Sequence, residues 1–374
     1  VGDPHRIGII GLGVISRAYL DTLAGAPSVR ITAVADLDAA RAEAVAAELP
    51  DARAMAVDEL LSSSEVDTVL NLTIPAAHAE IALAAIANGK HVYGEKPLAA
   101  SFAQAREVVD AADVAGVRLG CAPDTVLGTG TQTARAAIDG GVIGRPFAAS
   151  AVMVTAGHER WHPNPDFYYR EGGGPLLDMG PYYVASLIQL LGPVRSVTGA
   201  SSRLRAERVI ATGLRAGERI PVEVDTHVAG ILEHVNGALS TITTSFDGIA
   251  TAAAPIEVHG ELGTLAVPDP NNFDGEVRLA TIEGPGWREL EPSAGYVAAT
   301  RGAGLLDFVS AGDGRRPRAG ADVALHSLEI MTALLESARV GRRLELTTSV
   351  DRPEPVPLTP QSEWMRSRAT SPSR

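Results

Sequence analysis

The chain has 374 residues, 45% of them apolar and only 4% aromatic, with a formal net charge of −13. The length fits two domains, and an acidic balance with no basic block argues against a nucleic-acid-binding surface. The single cysteine, Cys121, excludes an internal disulfide framework and a cysteine-based zinc site, and no apolar run reaches the roughly 18 residues of a membrane span. The start (VGDPHRIG) lacks the charged-then-apolar layout of a signal peptide, so a soluble, reducing, cytoplasmic setting is expected.

Residues 6–10 (RIGII) read as a buried strand. Gly11-Leu12-Gly13-Val14-Ile15-Ser16 follows, and a helix is predicted over 14–24. This is a GxGxxG pattern with Ser in third place. The first glycine permits the tight turn, the second lets backbone approach a pyrophosphate, and the third position needs a small residue for helix–strand packing. A strand over 30–35 ends at Asp36, which would accept hydrogen bonds from a ribose 2′-hydroxyl and repel a 2′-phosphate. Leu37-Asp38 follow, so no Arg stands next to Asp36 to welcome that phosphate. Strand, turn, helix, strand and acid in this order point to NAD rather than NADP. Gly11, Gly13, Val14 and Ile15 would lie on the turn and Asp36 on the ribose. The competing reading is a glycine turn that binds nothing.

The alternation continues. Asp38 is placed to cap a helix running to 49, residues 66–72 read as a strand, and Thr73-Ile74-Pro75 ends it. A helix over 76–88 stops at Gly89, and a strand over 90–93 leads into Glu95-Lys96-Pro97. Pro97 forbids a further ladder bond, which sets the Lys96 ammonium at the C-terminal edge of a sheet, where open α/β sheets bind ligands. Ser101 caps a helix to 115, and residues 117–121 form a sixth strand. The fold class is therefore α/β, with a doubly wound parallel sheet over 1–122.

Near residue 145 the pattern changes to strands of period two. Asn236-Gly237 marks a hairpin, and residues 260–263 mark another tight connection. One long helix is predicted over 176–191, ending at Gly192-Pro193. An amphipathic helix over 321–340 is expected to pack on the sheet or on the first domain. The second domain spans 123–350, and the Pro- and Ser-rich tail 351–374 is expected to be loose.

The segment Gly172-Gly173-Gly174-Pro175-Leu176-Leu177-Asp178-Met179-Gly180-Pro181-Tyr182-Tyr183 carries the second set of candidates. Asp178 and Tyr182 are four apart and share one helix face, while Tyr183 points elsewhere. A phenol can exchange a proton if a cation such as Lys96 lowers its pKa. From spacing alone, a structural Asp cap and a packing Tyr fit equally well. Residues 157–169 (GHERWHPNPDFYY) gather several of the scarce aromatics. His158 to His162 is formally HExxH, but the prolines that follow deny it the helix a zinc site needs, and no metal is expected.

The chain resembles the Gfo/Idh/MocA family of nicotinamide-dependent oxidoreductases over residues 6–340. Three motifs carry the likeness: Gly11-Leu12-Gly13, Glu95-Lys96-Pro97, and the GGG-x-x-x-D-x-G stretch ending at Gly180. The resemblance implies a Rossmann domain followed by an α+β domain with a large open, mostly antiparallel sheet. It places Lys96 near nicotinamide and substrate, with a cis Lys96-Pro97 bond. It adds Thr73, His78 and Glu95 to the cofactor contacts, and Trp161, His162 and Tyr168 to the border of the substrate pocket. A packed surface loop is the alternative for the last three. Two departures stand out. Tyr182 occupies a place where many members have His, and the TPNxxH segment reads Thr73-Ile74-Pro75-Ala76-Ala77-His78.

The implied activity is NAD-dependent hydride transfer between nicotinamide and a secondary hydroxyl of a sugar, sugar derivative or cyclitol. Tyr182, or Lys96 through it, would move the hydroxyl proton, and Asp178 would orient substrate or lysine. An NAD-using glycosidase acting through transient oxidation, and a non-catalytic dinucleotide sensor, are the alternatives. A homodimer or homotetramer formed through the open sheet is expected.

Overall fold

A parallel neighbour in a sheet needs a crossover of about a dozen residues or more, usually a helix, and that dictates the first half of the chain. The computed structural model describes residues 3–284, 286–312 and 315–366. Its first elements are β1 His5–Ile10, α1 Ser16–Ala24, β2 Val29–Ala35, α2 Ala39–Ala47, β3 Arg53–Ala54, α3 Val57–Ser62, β4 Thr68–Asn71, α4 His78–Ala87, β5 His91–Gly94, α5 Phe102–Ala115 and β6 Leu119–Cys121. The six strands pair in parallel in the order β3-β2-β1-β4-β5-β6. The order reverses between β1 and β4, and such a switch point opens a crevice at the carboxyl ends of the strands. The caps are as expected: Asp38 accepts from the Arg41 backbone N–H at 3.2 Å, and Ser101 from that of Gln104 at 3.3 Å.

The chain divides into two compact units. The first comprises residues 3–128, 294–325 and 353–366, and the second comprises 129–293 and 326–352. This differs from the expected single boundary at 122 with a continuous second domain. The physical reason lies in helix Ala303–Ala311, whose apolar residues are buried in the first unit. Phe308 meets Tyr93 of β5 edge-on, with ring centroids 5.7 Å apart. The buried Asp124 carboxylate accepts from the Gly302 and Gly304 backbone N–H groups at 2.9 and 3.1 Å.

The tail differs too. Residues 353–366 are tied down rather than loose, and 367–374 lie outside the described residues. Gly295 N–H donates to the Val356 carbonyl at 2.9 Å, and Val297 N–H to that of Thr359 at 3.0 Å. Trp364 is buried, and its indole N–H donates to the Val297 carbonyl at 3.0 Å. A buried tryptophan and a paired backbone outweigh the Pro- and Ser-rich composition.

The second unit contains α6 Thr129–Asp139, β7 Pro146–Val154, α7 Pro175–Leu191, β8 Val194–Ser202, β9 Glu207–Val209, β10 Arg219–Pro221, β11 His227–His234, β12 Leu239–Ser245, β13 Ile256–Gly260, β14 Gly263–Val267, β15 Val277–Thr281, β16 Arg288–Leu290 and β17 Leu344–Glu345. Nine strands form one sheet in the order β16-β15-β14-β13-β7-β12-β11-β8-β17, antiparallel except for the parallel pair β7–β12. β9 and β10 form a separate hairpin. The Asn236-Gly237 turn joins β11 to β12 as expected. Burial alternates along β7 and β12, so one face of the sheet is covered and the other is half-exposed. Helix Ala321–Val340 has the predicted bounds and covers β8 and β11, with Leu334 over Gly199 and Gly230. Among the described residues, no helix is long and apolar enough to cross a membrane.

Docking of the tail can be measured directly. Trp364→Ala is expected to cost about 3–5 kcal/mol in chemical denaturation, the usual loss for a buried aromatic. A loose tail would give a change near zero.

Candidate active site

The first unit builds its turn from backbone that only glycine fits. Gly11 has φ +94°, and a Cβ there would lie 2.6 Å from the Leu72 carbonyl group. A Cβ on Gly13 would meet nothing within 4 Å, so that backbone faces open space. Ser16 donates from Oγ to the Gly13 carbonyl at 2.7 Å and begins α1 two residues later than predicted. Ile15 stands just before the helix, and Val14 is 97% exposed.

Asp36 closes the other side. Its carboxylate accepts from the Leu12 N–H at 2.7 Å, the Asp38 N–H at 2.9 Å and the Arg41 guanidinium at 3.2 Å. Burial pushes this carboxyl up, but the N–H groups of Asp38 and Leu12, with Arg41, hold it below its ordinary value. Arg41 corrects the expectation that no arginine stands near: the first turn of α2 brings it back to Asp36 from five residues on. A cavity of about 450 Å³ is lined by Gly11, Gly13, Asp36, Arg41, Thr73 and Ile74, among others. Val14, Ile15, His78, Glu95 and Lys96 are not in its wall. A cradle of bare backbone, an ionised acceptor and the exposed apolar side chains of Leu37 and Ile74 fits a dinucleotide.

Around that cradle, hydrogen bonds link the other candidates to neighbouring loops. Thr73 donates from N–H and Oγ to Asn71 Oδ1 at 3.3 and 2.6 Å, and Asn71 Nδ2 donates to the His78 carbonyl at 3.0 Å. His78 is only 3% exposed, with Nδ1 2.6 Å from the Pro97 carbonyl and Nε2 3.0 Å from that of Thr73. It therefore ties the loop after β4 to the loop after β5. Glu95 accepts from the Tyr19 hydroxyl at 2.8 Å and from the Lys96 N–H at 3.0 Å, which anchors the Lys96 segment to α1. The Lys96-Pro97 peptide is cis, as is Ala122-Pro123. Cys121 is buried with Sγ 3.5 Å from the Glu95 carbonyl, and burial pushes its thiol up.

In the second unit, α7 starts at Pro175, and Asp178 sits in its first turn, where the helix dipole favours a carboxylate. The helix continues through Pro181, and Tyr182 follows one turn after Asp178 on the same face. Tyr183 points away as expected: burial, and then Asp269, push its phenol up. Of the glycines that precede α7, Gly173 packs against the neighbouring loop, where a Cβ would lie 2.5 Å from the Phe167 carbonyl oxygen.

That loop turns His158 onto Asp178, with Nε2 2.9 Å from Oδ2. The contact was not read from the sequence, where His158 counted only as the first letter of HExxH. The segment His158–Arg160 is a single 3₁₀ turn, not an α-helix. Around the imidazole stand Tyr168, Trp161 and Phe246, with ring centroids at 4.5, 5.1 and 4.4 Å. His162 packs edge-on against Trp161 and Tyr168, and its Nδ1 accepts from the Asn164 N–H at 3.0 Å. Burial lowers its pKa. Trp161 is 59% exposed.

The loop is held from behind by buried charge. Tyr169 donates a short hydrogen bond to Glu159 and accepts from the His158 N–H at 3.2 Å. Arg208, on β9, pairs with Glu159 at 3.1 Å and with Asp247. Asp247 also accepts from the Thr226 hydroxyl. Arg215, between β9 and β10, pairs with Asp166 at 2.6 Å.

Comparison with known proteins agrees with this architecture. Residues 5–122 match the family model described as an oxidoreductase family with an NAD-binding Rossmann fold, and residues 131–266 match the GFO/IDH/MocA C-terminal domain. The chain is 30% identical to 1,5-anhydro-D-fructose reductase of Ensifer adhaerens over 92% of this chain and 100% of that protein. It is 27% identical to myo-inositol 2-dehydrogenase of Thermotoga maritima over 74% of this chain and 77% of that one. A crystal structure of an NAD binding oxidoreductase from Klebsiella pneumoniae superposes with a TM-score of 0.81 at 26% identity, covering 93% of this chain and 100% of that one.

Two substitutions test the two regions, one in each unit. Gly11→Ala is expected to weaken NADH binding at least about tenfold, because an L residue at positive φ is strained and its Cβ meets fixed backbone. Fluorescence titration with the reduced cofactor measures it. Arg208→Ala strands the buried Glu159 carboxylate and is expected to cost about 3–5 kcal/mol in urea unfolding.

Proposed function

The chain belongs to the Gfo/Idh/MocA family of oxidoreductases with an NAD-binding Rossmann fold, and on that premise we propose that it oxidises or reduces a secondary hydroxyl of a sugar, sugar derivative or cyclitol. The observation that carries the reading is the Asp178 carboxylate. It stands at a helix N-terminus with its side chain 18% exposed, gripped by an imidazole and bordered by an aromatic loop. A fixed carboxylate beside aromatic faces suits a ring that carries several hydroxyls. Two of the most similar relatives are named for such ring substrates, an anhydrofructose and an inositol.

Bound NAD supplies the hydride chemistry. In this reading Asp178 accepts hydrogen bonds from the substrate and orients it. Tyr182 takes the hydroxyl proton in oxidation and returns it in reduction, and the Lys96 ammonium stabilises the charge that develops on oxygen. Trp161, His162 and Tyr168 border the ring, with the exposed face of Trp161 available to stack. Thr73, Glu95 and Lys96 complete the cofactor side, and His78 holds their loops. The half-exposed face of the nine-stranded sheet, with Val152, Ile231 and Thr241, is proposed to pair with a second copy of the chain as a homodimer or homotetramer.

The test is a panel of sugars, cyclitols and glycosides with NAD and with NADP, following absorbance of the reduced cofactor. Turnover of a free sugar or cyclitol with NAD supports the reading, and aglycone release without net NADH overturns it. Lys96→Ala and Tyr182→Phe are each expected to lower kcat at least about tenfold with NADH affinity retained, as expected for lost acid–base groups. Near-normal turnover in both would refute the assignment.

A further inference from the structure

We infer that Trp161 acts through His158 as a positioning residue, fixing the imidazole in one tautomer so that it only donates to Asp178. The inference rests on the reading of Asp178 as a substrate-orienting group. Its geometry lies wholly within the second unit. Trp161 Nε1 is 3.3 Å from His158 Nδ1, and His158 Nε2 is 2.9 Å from Asp178 Oδ2. An indole N–H is a donor and never an acceptor, so Nδ1 must present its lone pair. The ring proton therefore sits on Nε2 and points at the carboxylate. The hydrogen bond at one ring nitrogen sets the state of the other, as in metal-bound histidines.

Two consequences follow. His158 is not the base that removes the substrate proton, because its lone pair is taken by the indole and its other nitrogen already carries hydrogen. Asp178 receives a charge-assisted bond at Oδ2, which fixes the carboxylate plane. The imidazole has little room to turn: its side chain is 9% exposed, and Tyr168, Trp161 and Phe246 surround it. Trp161 thus has two parts. Its ring lies at the surface, where it borders the proposed substrate, and its N–H points inward to set Asp178. The titratable groups around His158 are Asp178 from α7, His162 and Glu159 from its own loop, and Tyr168 and Tyr169 from the next turn, with Arg208 behind Glu159.

The experiment is ¹⁵N NMR of the histidine side chains in the full chain, with the His158 signals identified by their loss in His158→Gln. A pyridine-type Nδ1 and a protonated Nε2 at neutral pH support the inference. A protonated Nδ1, or protons on both nitrogens, overturns it. Trp161→Phe keeps the aromatic bulk and removes the donor, so the pyridine-type Nδ1 resonance of His158 should shift downfield as its hydrogen bond is lost. An unchanged Nδ1 resonance overturns the indole's role. In kinetics, His158→Leu should lower kcat about tenfold or more, and His158→Gln, whose amide still donates to Asp178, should recover most of that loss. Equal kcat in His158→Leu and the parent overturns the positioning role. If the parent turns over no sugar or cyclitol, the proposed function falls while the NMR result still decides the tautomer.

Discussion

The hydrogen bond between His158 and Asp178 is where local helix chemistry and long-range folding meet. The carboxylate is placed by α7, whose first turn attracts negative charge, but its orientation is set by an imidazole twenty residues upstream. That imidazole is held in turn by the 3₁₀ turn His158–Arg160 and by Tyr169, Glu159 and Arg208 behind it. Buried charges persist only when paired, so the Arg208 contacts to Glu159 and Asp247 tie the loop to the β9–β10 hairpin and to the end of β12. A group at the proposed reaction site therefore depends on an ion cluster behind the loop.

The first unit follows the same rule with different residues. The cavity beside the Gly11–Gly13 turn is walled by that backbone, by the Asp36 carboxylate and by side chains such as Arg41, Thr73 and Ile74. Around it, His78, Asn71, Glu95 and Tyr19 are spent on holding loops. His78 reaches two carbonyls, of Pro97 and Thr73, and Glu95 reaches the Tyr19 hydroxyl and the Lys96 N–H. A residue close to the cradle along the chain can thus be committed to hydrogen bonds that hold its loops. Arg41 makes the complementary point. It stands away from Asp36 along the chain, yet one helical turn returns its guanidinium to that carboxylate.

Much was legible in the sequence because it depends on short-range rules. Alternating apolar runs and helical patterns, with Asp38 and Ser101 as caps, dictate a doubly wound sheet. The Gly11-Leu12-Gly13 turn followed by Asp36 marks in advance two parts of the wall of one cavity. The GGG segment dictates a helix start that places Asp178 and Tyr182 on one face. Each of these signals spans a few dozen residues or fewer, within the reach of local backbone geometry and side-chain period.

Tertiary structure alone decided the rest. The His158–Asp178 contact, the Arg208 cluster, the docking of helix Ala303–Ala311 beside Tyr93, and the tail tied down by Trp364 all join segments with no shared period or motif. Their partners are chosen by burial, which requires each enclosed polar group to find a complement and each apolar side chain a cavity, wherever along the chain these occur. The sequence determined which side chains could do chemistry. Only the folded chain decided which of them face outward and which serve as the frame, because that choice depends on what is desolvated beside what.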